Sequence, residues 1–511
     1  MSSSSISNDG APATAATAAV IPAERASSGN GAAAGAGFFD TVIDRTLANL
    51  RTAWRDIADS ARGVLGGGAP RPDLPRDDAE RLVERMRDCL QARGGEVTAR
   101  ARAADLGRIY LALSPVGRER FLRLLAERFD VDRREIAACC AELSAATDDA
   151  ARRRAERAMR QALEPPRIRL LTQFNGLPEG VKFLVDMRAE LMRLAQGGGG
   201  DPLLAGLEQD LKGLLAGWFD IGFLELRHIT WQAPAALLEK LIVYEAVHTI
   251  RGWTDLKNRL DSDRRCFAFF HPRMPDEPLI FVEVALVNGM AGDVHALLDE
   301  SAPVGDSAAA TAAIFYSISN CQTGLAGISF GNFLIKRVVD QLAAELPRLR
   351  TFATLSPIPG FLGWLDRRLG EAADGGSLLL PAERKAFAAL PSHLAKLGLK
   401  GLLDMPRWHE DEAVARVLKE PLMRLCSRYL ALEQTSKRRA LDPVAHFHLS
   451  NGARVERLNW LADRSPRGLQ QSAGLMVNYL YKLPEIDANH EAYTGDGRIA
   501  AASPIRALAN A

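Results

Sequence analysis

The segment 317-SISNCQTGLAGISFGNFLIKRVVDQLAAEL-346 has the pattern that decides the fold of the second half of the chain. It predicts a β-strand, a glycine-containing loop and an amphipathic helix, whose buried stripe comprises Leu334, Val338, Leu342 and Leu346. Such a loop presents free backbone N–H groups and the positive end of a helix dipole, an arrangement that suits phosphate. The loop is neither a Walker A sequence nor GxGxxG, which disfavours ATP and NAD. A coenzyme pyrophosphate and an ordinary strand–turn–helix connection both remain open.

Runs with strand character surround this segment and lie between helical stretches. They are CFAFFH (266–271), LIFVEVAL (279–286), AAIFYSIS (312–319), FATLS (352–356) and VAHFHL (444–449). Residues from about 76 to 215 have only helical patterns, for example the helix that Ser114 caps and Pro115 begins. The sequence therefore predicts an all-helical domain at 37–215, followed at 216–505 by a domain that is α/β or α+β.

Composition excludes several classes of protein. With 64 basic and 63 acidic residues among 511, the net charge is +1, so no global field favours nucleic acid or an anionic membrane. No apolar run reaches the roughly 18 residues that a membrane span needs. The six cysteines form no CxxC pairs and predict reduced thiols rather than disulfides or a zinc site. Residues 1–36, rich in Ala, Ser and Gly, are predicted to be disordered. They match neither a transit nor a secretory signal, which favours a cytoplasmic location.

The run PVAHFHLSNG (443–452) contains two candidate functional histidines. Read as a strand, it places Val444, His446 and His448 on one face. Two histidines could bind a metal, but no carboxylate or third histidine lies at a recognisable spacing. A packed histidine and a catalytic acid or base are the better alternatives.

The run 354-TLSPIPGF-361 holds Ser356 between a strand and two prolines. A hydrolase serine usually relies on the N–H of the next residue for its oxyanion hole, and Pro357 has none. An attacking nucleophile of that kind is therefore excluded. A rigidly positioned hydroxyl and a plain turn residue remain.

Long strings between residues 208 and 482 carry a family resemblance. They include HPRMPDEPLIFVEVAL, FGNFLIKRVV, LSPIPGF, FHLSNGARVERLNWLADRSPRG and GLMVNYLYKL. In these strings the chain resembles malonyl-CoA decarboxylases. The resemblance implies an α+β fold, in which an acetyltransferase-like, mixed-sheet catalytic domain binds coenzyme A. A helical domain used in oligomerisation precedes it, and a homotetramer is expected.

The resemblance also implies site residues. Ser356 and His448 match the family's functional serine and histidine, and Tyr481 matches a supporting tyrosine. The coenzyme pyrophosphate is expected on the loop formed by Ala326, Gly327, Ile328, Ser329, Phe330, Gly331 and Asn332. This loop departs from the R/Q-x-x-G-x-G/A pattern, since Ala326 and Ser329 replace the first two conserved positions and only Gly331 is kept.

The implied reaction is decarboxylation of malonyl-CoA to acetyl-CoA and CO2. His448 is predicted to donate a proton to the enolate, and Ser356 to orient it and hold the malonyl carboxylate or the thioester oxygen. The reaction requires neither a metal nor biotin in principle. Coenzyme A is part of the substrate and is not counted as a cofactor. The alternatives are an acyl-CoA-dependent N-acetyltransferase and a non-catalytic acyl-CoA sensor.

Overall fold

The computed structural model describes residues 52, 54–57, 68–91, 95–197, 201–328, 334–371 and 378–511. The predicted tail at 1–36 lies outside these residues. So do Ser329, Phe330, Gly331 and Asn332 of the predicted coenzyme loop.

The first half of the described chain is helical, as predicted. Ser114 caps one of these helices by accepting a hydrogen bond from the Gly117 N–H, and Pro115 is the first helical residue. Apolar side chains that recur every three or four residues, among them Leu82, Met86 and Phe121, form the core between the helices. The helices are α1 (Arg76–Leu90), α2 (Gly95–Ala112), α3 (Pro115–Arg128), α4 (Arg133–Ala145), α5 (Asp149–Ala162), α6 (Pro166–Asn175), α7 (Gly180–Gly197) and α8 (Pro202–Trp218).

The second half is built on one mixed eight-stranded sheet, so the predicted α+β class is confirmed. Its strands are β1 (Glu225–Ile229), β2 (Arg264–Phe270), β3 (Ile280–Val287), β4 (Ala312–Asn320), β5 (Thr351–Thr354), β6 (Ser356–Pro357), β7 (Arg454–Asn459) and β8 (Met476–Leu480). The order is β1-β2-β3-β4-β5-β8-β6, with β7 also paired to β8. Only β4 and β5 run parallel; the other pairs are antiparallel.

Helices cover and connect the sheet. They are α9 (Ala235–Tyr244), α10 (Trp253–Arg259), α11 (Val294–Leu297), α12 (Leu334–Glu345), α13 (Phe361–Glu371), α14 (Pro381–Ala388), α15 (Ser392–Ala395), α16 (Gly398–Leu403), α17 (Glu412–Ala431), α18 (Pro443–Ser450), α19 (Pro466–Ser472), α20 (Ile486–Asp496) and α21 (Ser503–Ala509).

The strand predicted at 444–449 is wrong, because these residues form helix α18. Asp442 caps the helix through its side chain, and Pro443 occupies the first turn, where its missing N–H costs nothing. His446 and His448 therefore do not share a face as they would in a strand. The Asp-Pro start signal prevails over the β-like side chains that follow it.

The centre of the sheet opens between β4 and the segment after β5. Parallel pairing ends where Phe315 meets Thr354, yet β4 continues to Asn320. On its other side, β4 shifts register against β3 between Glu283 and Val284, which leaves Tyr316 as an extra residue. Such a bulge bends a strand and increases its twist. β6 then pairs with β8 instead of β4, so the two central segments diverge.

The helical half contacts the second half of the chain through α7. The guanidinium of Arg188, which is almost fully buried, donates hydrogen bonds to the carbonyl oxygens of Gly324 and Ala326, at 2.6 and 2.8 Å. Glu208 of α8 accepts from the same guanidinium at 2.6 Å. At Gly324 an added Cβ would lie 1.8 Å from the Val185 carbonyl oxygen, so the close approach requires glycine.

Candidate active site

A cavity lies where the central strands diverge. Its walls come from β4, from β6, from helix α18 and from the short segment after α9. The lining residues are Ala246, Val247, Phe315, Tyr316, Ser317, Ile318, Asn320, Ser356, Pro357, Val444, Phe447 and His448. The lining is mostly apolar with a few polar groups, which is typical of a small-molecule site.

Ser356 and His448 meet in the wall of this cavity. The Ser356 Oγ lies 3.1 Å from the His448 Nε2, although 92 residues separate them in the chain. The Ser356 hydroxyl donates to the Thr354 Oγ1 at 2.8 Å, and the Tyr479 N–H donates to the same oxygen at 3.1 Å. Both hydroxyls are thereby fixed against β8.

The opposite nitrogen of His448 is also occupied. Its Nδ1 lies 2.8 Å from the Tyr481 hydroxyl oxygen, and the ring stacks on Tyr479 with centroids 4.6 Å apart. Because Ser356 donates its hydrogen to Thr354, Nε2 must donate to Ser356, and Nδ1 then accepts from Tyr481. The structure thus brings the three predicted residues Ser356, His448 and Tyr481 into one hydrogen-bonded row.

Burial controls the protonation of this row. Desolvation lowers the pKa of His448 to about 3, since no charged group offsets the cost of burying an imidazolium. Desolvation also raises the pKa of Tyr481, which keeps its hydroxyl neutral. At neutral pH the imidazole of His448 is therefore uncharged, and its Nε2–H is directed to Ser356.

The predicted coenzyme loop is described only for Ala326, Gly327 and Ile328. Gly327 has φ +73°, a left-handed conformation that favours glycine. These three residues are not among those that line the cavity. Lys336, in the first turn of α12, forms an ion pair with Asp487 at 3.1 Å. A role for the loop in binding the pyrophosphate stays a prediction.

Glu245 is a site component that the sequence patterns did not reveal. Its carboxylate accepts hydrogen bonds from the hydroxyls of Ser317 and Ser319 on β4, at 2.8 and 3.1 Å. It also accepts from the N–H groups of Val247 and His248, at 2.8 and 2.7 Å. Glu245 therefore fixes the segment 246–248 against β4. It lies 72 residues from Ser317, so no local spacing could have indicated the contact.

The described residues show neither a metal site nor a membrane-spanning helix. They contain no group of three or more His, Cys, Asp and Glu side chains arranged to hold a metal ion. His446, the other histidine of α18, contacts the Tyr493 hydroxyl at 2.7 Å and not the cavity. No helix of the described chain is long and apolar enough to cross a membrane.

Comparison with known proteins identifies the family. The family model "Malonyl-CoA decarboxylase C-terminal domain" matches residues 222–511, and the model of the N-terminal domain matches residues 129–219. Mitochondrial malonyl-CoA decarboxylase of the goose Anser anser anser is 39% identical over 421 residues, covering 80% of this chain and 83% of the goose protein. The enzyme of Mus musculus is 38% identical over 486 residues, covering 91% and 96%.

Comparison with solved structures indicates the same family. Malonyl-CoA decarboxylase from Rhodopseudomonas palustris superposes with a TM-score of 0.76 at 43% identity, covering 84% of this chain and 99% of that one. The enzyme from Agrobacterium vitis gives 0.74 at 41% identity with the same coverage. The chain belongs to the malonyl-CoA decarboxylase family.

Proposed function

We propose that the chain converts malonyl-CoA to acetyl-CoA and CO2, with His448 as the proton donor and Ser356 as the residue that positions the reacting group. The buried contact between Ser356 and His448, in the wall of a cavity at the divergence of β4 and β6, carries this proposal. Family membership supports the overall reaction. The residue roles rest on the geometry.

Loss of CO2 breaks the bond between the malonyl carboxylate and the carbon next to the thioester. The electron pair of that bond delocalises onto the thioester oxygen and forms an enolate. Donors placed at that oxygen lower the barrier, because they meet the charge where it develops. Ser356 can provide such a donor when its hydroxyl hydrogen turns from the Thr354 Oγ1 to the thioester oxygen, while the Nε2–H of His448 holds the Ser356 oxygen in place.

His448 must be protonated before it can act as a proton donor, and the charge of the bound substrate favours this protonation. The malonyl carboxylate carries a negative charge into a cavity without a cation in its lining. An opposite charge nearby stabilises the imidazolium, so substrate binding raises the pKa of His448 from the low value that burial gives it. When CO2 leaves, the Nε2 proton passes to the new methyl carbon, and the neutral imidazole is restored.

The test incubates the unmodified protein and the variants His448→Asn and Ser356→Ala with malonyl-CoA as the sole substrate. The formation of acetyl-CoA and CO2 is measured. Removal of a general acid costs about 10²- to 10⁴-fold in turnover. Near-normal turnover by folded His448→Asn protein would contradict the assignment. Acetyl transfer that appears only when an amine is added would favour a transferase, and binding without turnover would favour a sensor.

The finer expectations belong to the same proposal. We expect a homotetramer, activity without metal or biotin, and a place in fatty acid metabolism. A cytoplasmic location is also part of the proposal, although the animal relatives are named mitochondrial. Light scattering measures the assembly, cell fractionation measures the location, and turnover after treatment with EDTA or avidin measures the cofactor requirement.

A further inference from the structure

Asp442 joins the two segments that carry the site. One carboxylate oxygen, Oδ1, accepts hydrogen bonds from the N–H groups of Val444 and Ala445 at 2.9 and 3.0 Å, and so caps helix α18. The other oxygen, Oδ2, accepts from the N–H of Gly360 at 3.1 Å. A single side chain therefore contacts both the histidine helix and the serine loop.

Both contacts lie close to the reacting groups along the chain. Gly360 follows Ser356 after only Pro-Ile-Pro, a stretch with two fixed backbone φ angles. His448 lies six residues after Asp442, on the helix that Asp442 caps. A shift at Asp442 is therefore transmitted to both members of the pair through short, stiff connections.

The packing around the Asp442 carboxylate leaves no space for a side chain at position 360. An added Cβ on Gly360 would lie 2.2 Å from the Tyr429 hydroxyl and 3.4 Å from the Asp442 Oδ2. The Tyr429 hydroxyl itself lies 3.5 Å from Oδ2. Glycine at position 360 is thus what permits the serine loop to approach the carboxylate.

We infer that Asp442 is a positioning residue for decarboxylation, whose bridge between Gly360 and helix α18 sets the distance from Ser356 to His448. This inference rests on the proposed roles of Ser356 and His448. An error of about 1 Å in such a distance can cost on the order of 100-fold in turnover.

The protonation of Asp442 allows a second test of the inference, through the pH dependence of kcat. Asp442 is almost fully buried, and no Lys or Arg of the described residues forms an ion pair with it. The titratable groups that face it are Cys426 and Tyr429 on α17 and Tyr479 on β8. Desolvation raises the pKa of Asp442 to about 6 in spite of its hydrogen bonds. Below that pH one oxygen carries a hydrogen and becomes a weaker acceptor for its N–H partner.

The main experiment replaces Asp442 by Asn and has a matched control. Asparagine caps helices as well as aspartate does, so Asp442→Asn keeps the cap. The asparagine side chain has only one oxygen, and this oxygen is needed for the cap. The NH2 group then faces the Gly360 N–H, and the hydrogen bond to Gly360 is lost. Asp411 caps α17 through Ala413 and Val414 and is exposed, so Asp411→Asn makes the same change with no bridge to lose.

We expect Asp442→Asn to lower kcat for malonyl-CoA by about 10- to 100-fold with an unchanged KM, and Asp411→Asn to leave both unchanged. The kcat of the unmodified protein is expected to fall as the pH is lowered through about 6, and this acid limb is expected to vanish in Asp442→Asn.

Two outcomes would overturn the inference while the proposed function stands. One is full kcat in Asp442→Asn when His448→Asn is inactive. The other is an equal loss in Asp442→Asn and Asp411→Asn. Turnover by His448→Asn would instead contradict the proposed function. If Asp442→Asn does not fold, the pH profile of the unmodified protein decides, and a flat kcat through pH 6 contradicts the inference.

Discussion

Two buried polar clusters lie close to the centre of the sheet and differ in how their burial is compensated. The charged cluster comprises Asp255, Arg259 and Glu283, in which the guanidinium contacts one carboxylate at 2.8 Å and the other at 3.0 Å. The neutral cluster comprises Ser356, His448 and Tyr481 and contains hydrogen bonds only.

The two clusters show how the pKa of a buried group depends on whether an opposite charge lies nearby. Arg259 lies between carboxylates and remains charged, since they raise its pKa further. The pKa of Glu283 is raised by burial, because one guanidinium serves two carboxylates and Glu245 adds a third negative charge nearby. In the neutral cluster nothing offsets desolvation, so His448 gives up its proton. The charged cluster is suited to holding structure, and the neutral cluster to changing protonation when a charged ligand arrives.

The largest expected effect on stability is that of Arg259→Met. Removing the cation leaves the buried Glu283 without its ion-pair partner and Asp255 with only the exposed Arg251, which costs about 3–5 kcal/mol in the free energy of unfolding. Denaturant titration measures this loss, and kcat per folded molecule is expected to stay the same. Arg251→Met is the control, because Arg251 also pairs with Asp255 but is 69% exposed, and such pairs are worth about 0–1 kcal/mol. Equal losses in the two variants would remove the distinction between the clusters.

Tyr481→Phe tests the neutral cluster through turnover. Without the hydroxyl, Nδ1 of His448 has no donor and the ring is free to reorient, so we expect kcat to fall about 10- to 100-fold. Stability is expected to fall by only about 1 kcal/mol. Tyr479→Phe is the matched control, since the Tyr479 hydroxyl has no hydrogen-bond partner among the described residues while its ring stacks on His448. A kcat loss of the same size in Tyr479→Phe would contradict the role of the Tyr481 hydroxyl.

The pH dependence of stability measures the burial of His448. Its folded pKa of about 3 lies below the ordinary value of 6.5, so the unfolded chain binds the extra proton between these two values. The free energy of unfolding is therefore expected to fall as the pH is lowered from 6.5 towards 3, by up to about 1.4 kcal/mol per pH unit from this group. Subtracting the slope of His448→Asn isolates the contribution. Identical slopes would place His448 in contact with water.

The smallest expected effect is at an exposed ion pair. Lys400 and Asp366 lie 2.6 Å apart with more than half of each side chain in solvent. Lys400→Met is expected to change the free energy of unfolding by less than about 1 kcal/mol, and salt is expected to reduce even that. Denaturant titration at low and high salt provides the baseline for the buried clusters. A loss comparable to that of Arg259→Met would show that exposure does not separate these interactions.

The residues that the family resemblance named lie together in the structure, whereas the strand predicted for the histidine is a helix. Pro357 correctly excluded a backbone N–H next to Ser356, and the structure places the serine beside His448. The histidine lies on a helix, not a strand, and the Asp442–Pro443 start signal was present in the sequence to show it.

Other site contacts could not be read from the sequence. Thr354 fixes Ser356, Glu245 fixes the cavity wall, and Asp442 joins two segments that are 82 residues apart. Short strands such as β7 and β8 also went unpredicted, because five or six residues carry too little periodicity to stand out. Such contacts exist only once the sheet has assembled. Local patterns therefore locate reactive side chains but not the groups that hold them.

The contact that Arg188 makes with Gly324 and Ala326 limits how the protein can be divided or recombined. A fragment that begins after α8 would lose the guanidinium that satisfies both carbonyl oxygens and would expose the turn that α7 covers. Buried carbonyl groups that lose their donors cost free energy, so the excised second half should be less stable than its own core suggests. For the same reason, exchange of helical halves between relatives should succeed where the incoming helix supplies an arginine at this place. The boundary between the halves is a division of the sequence, and the packed interior continues across it.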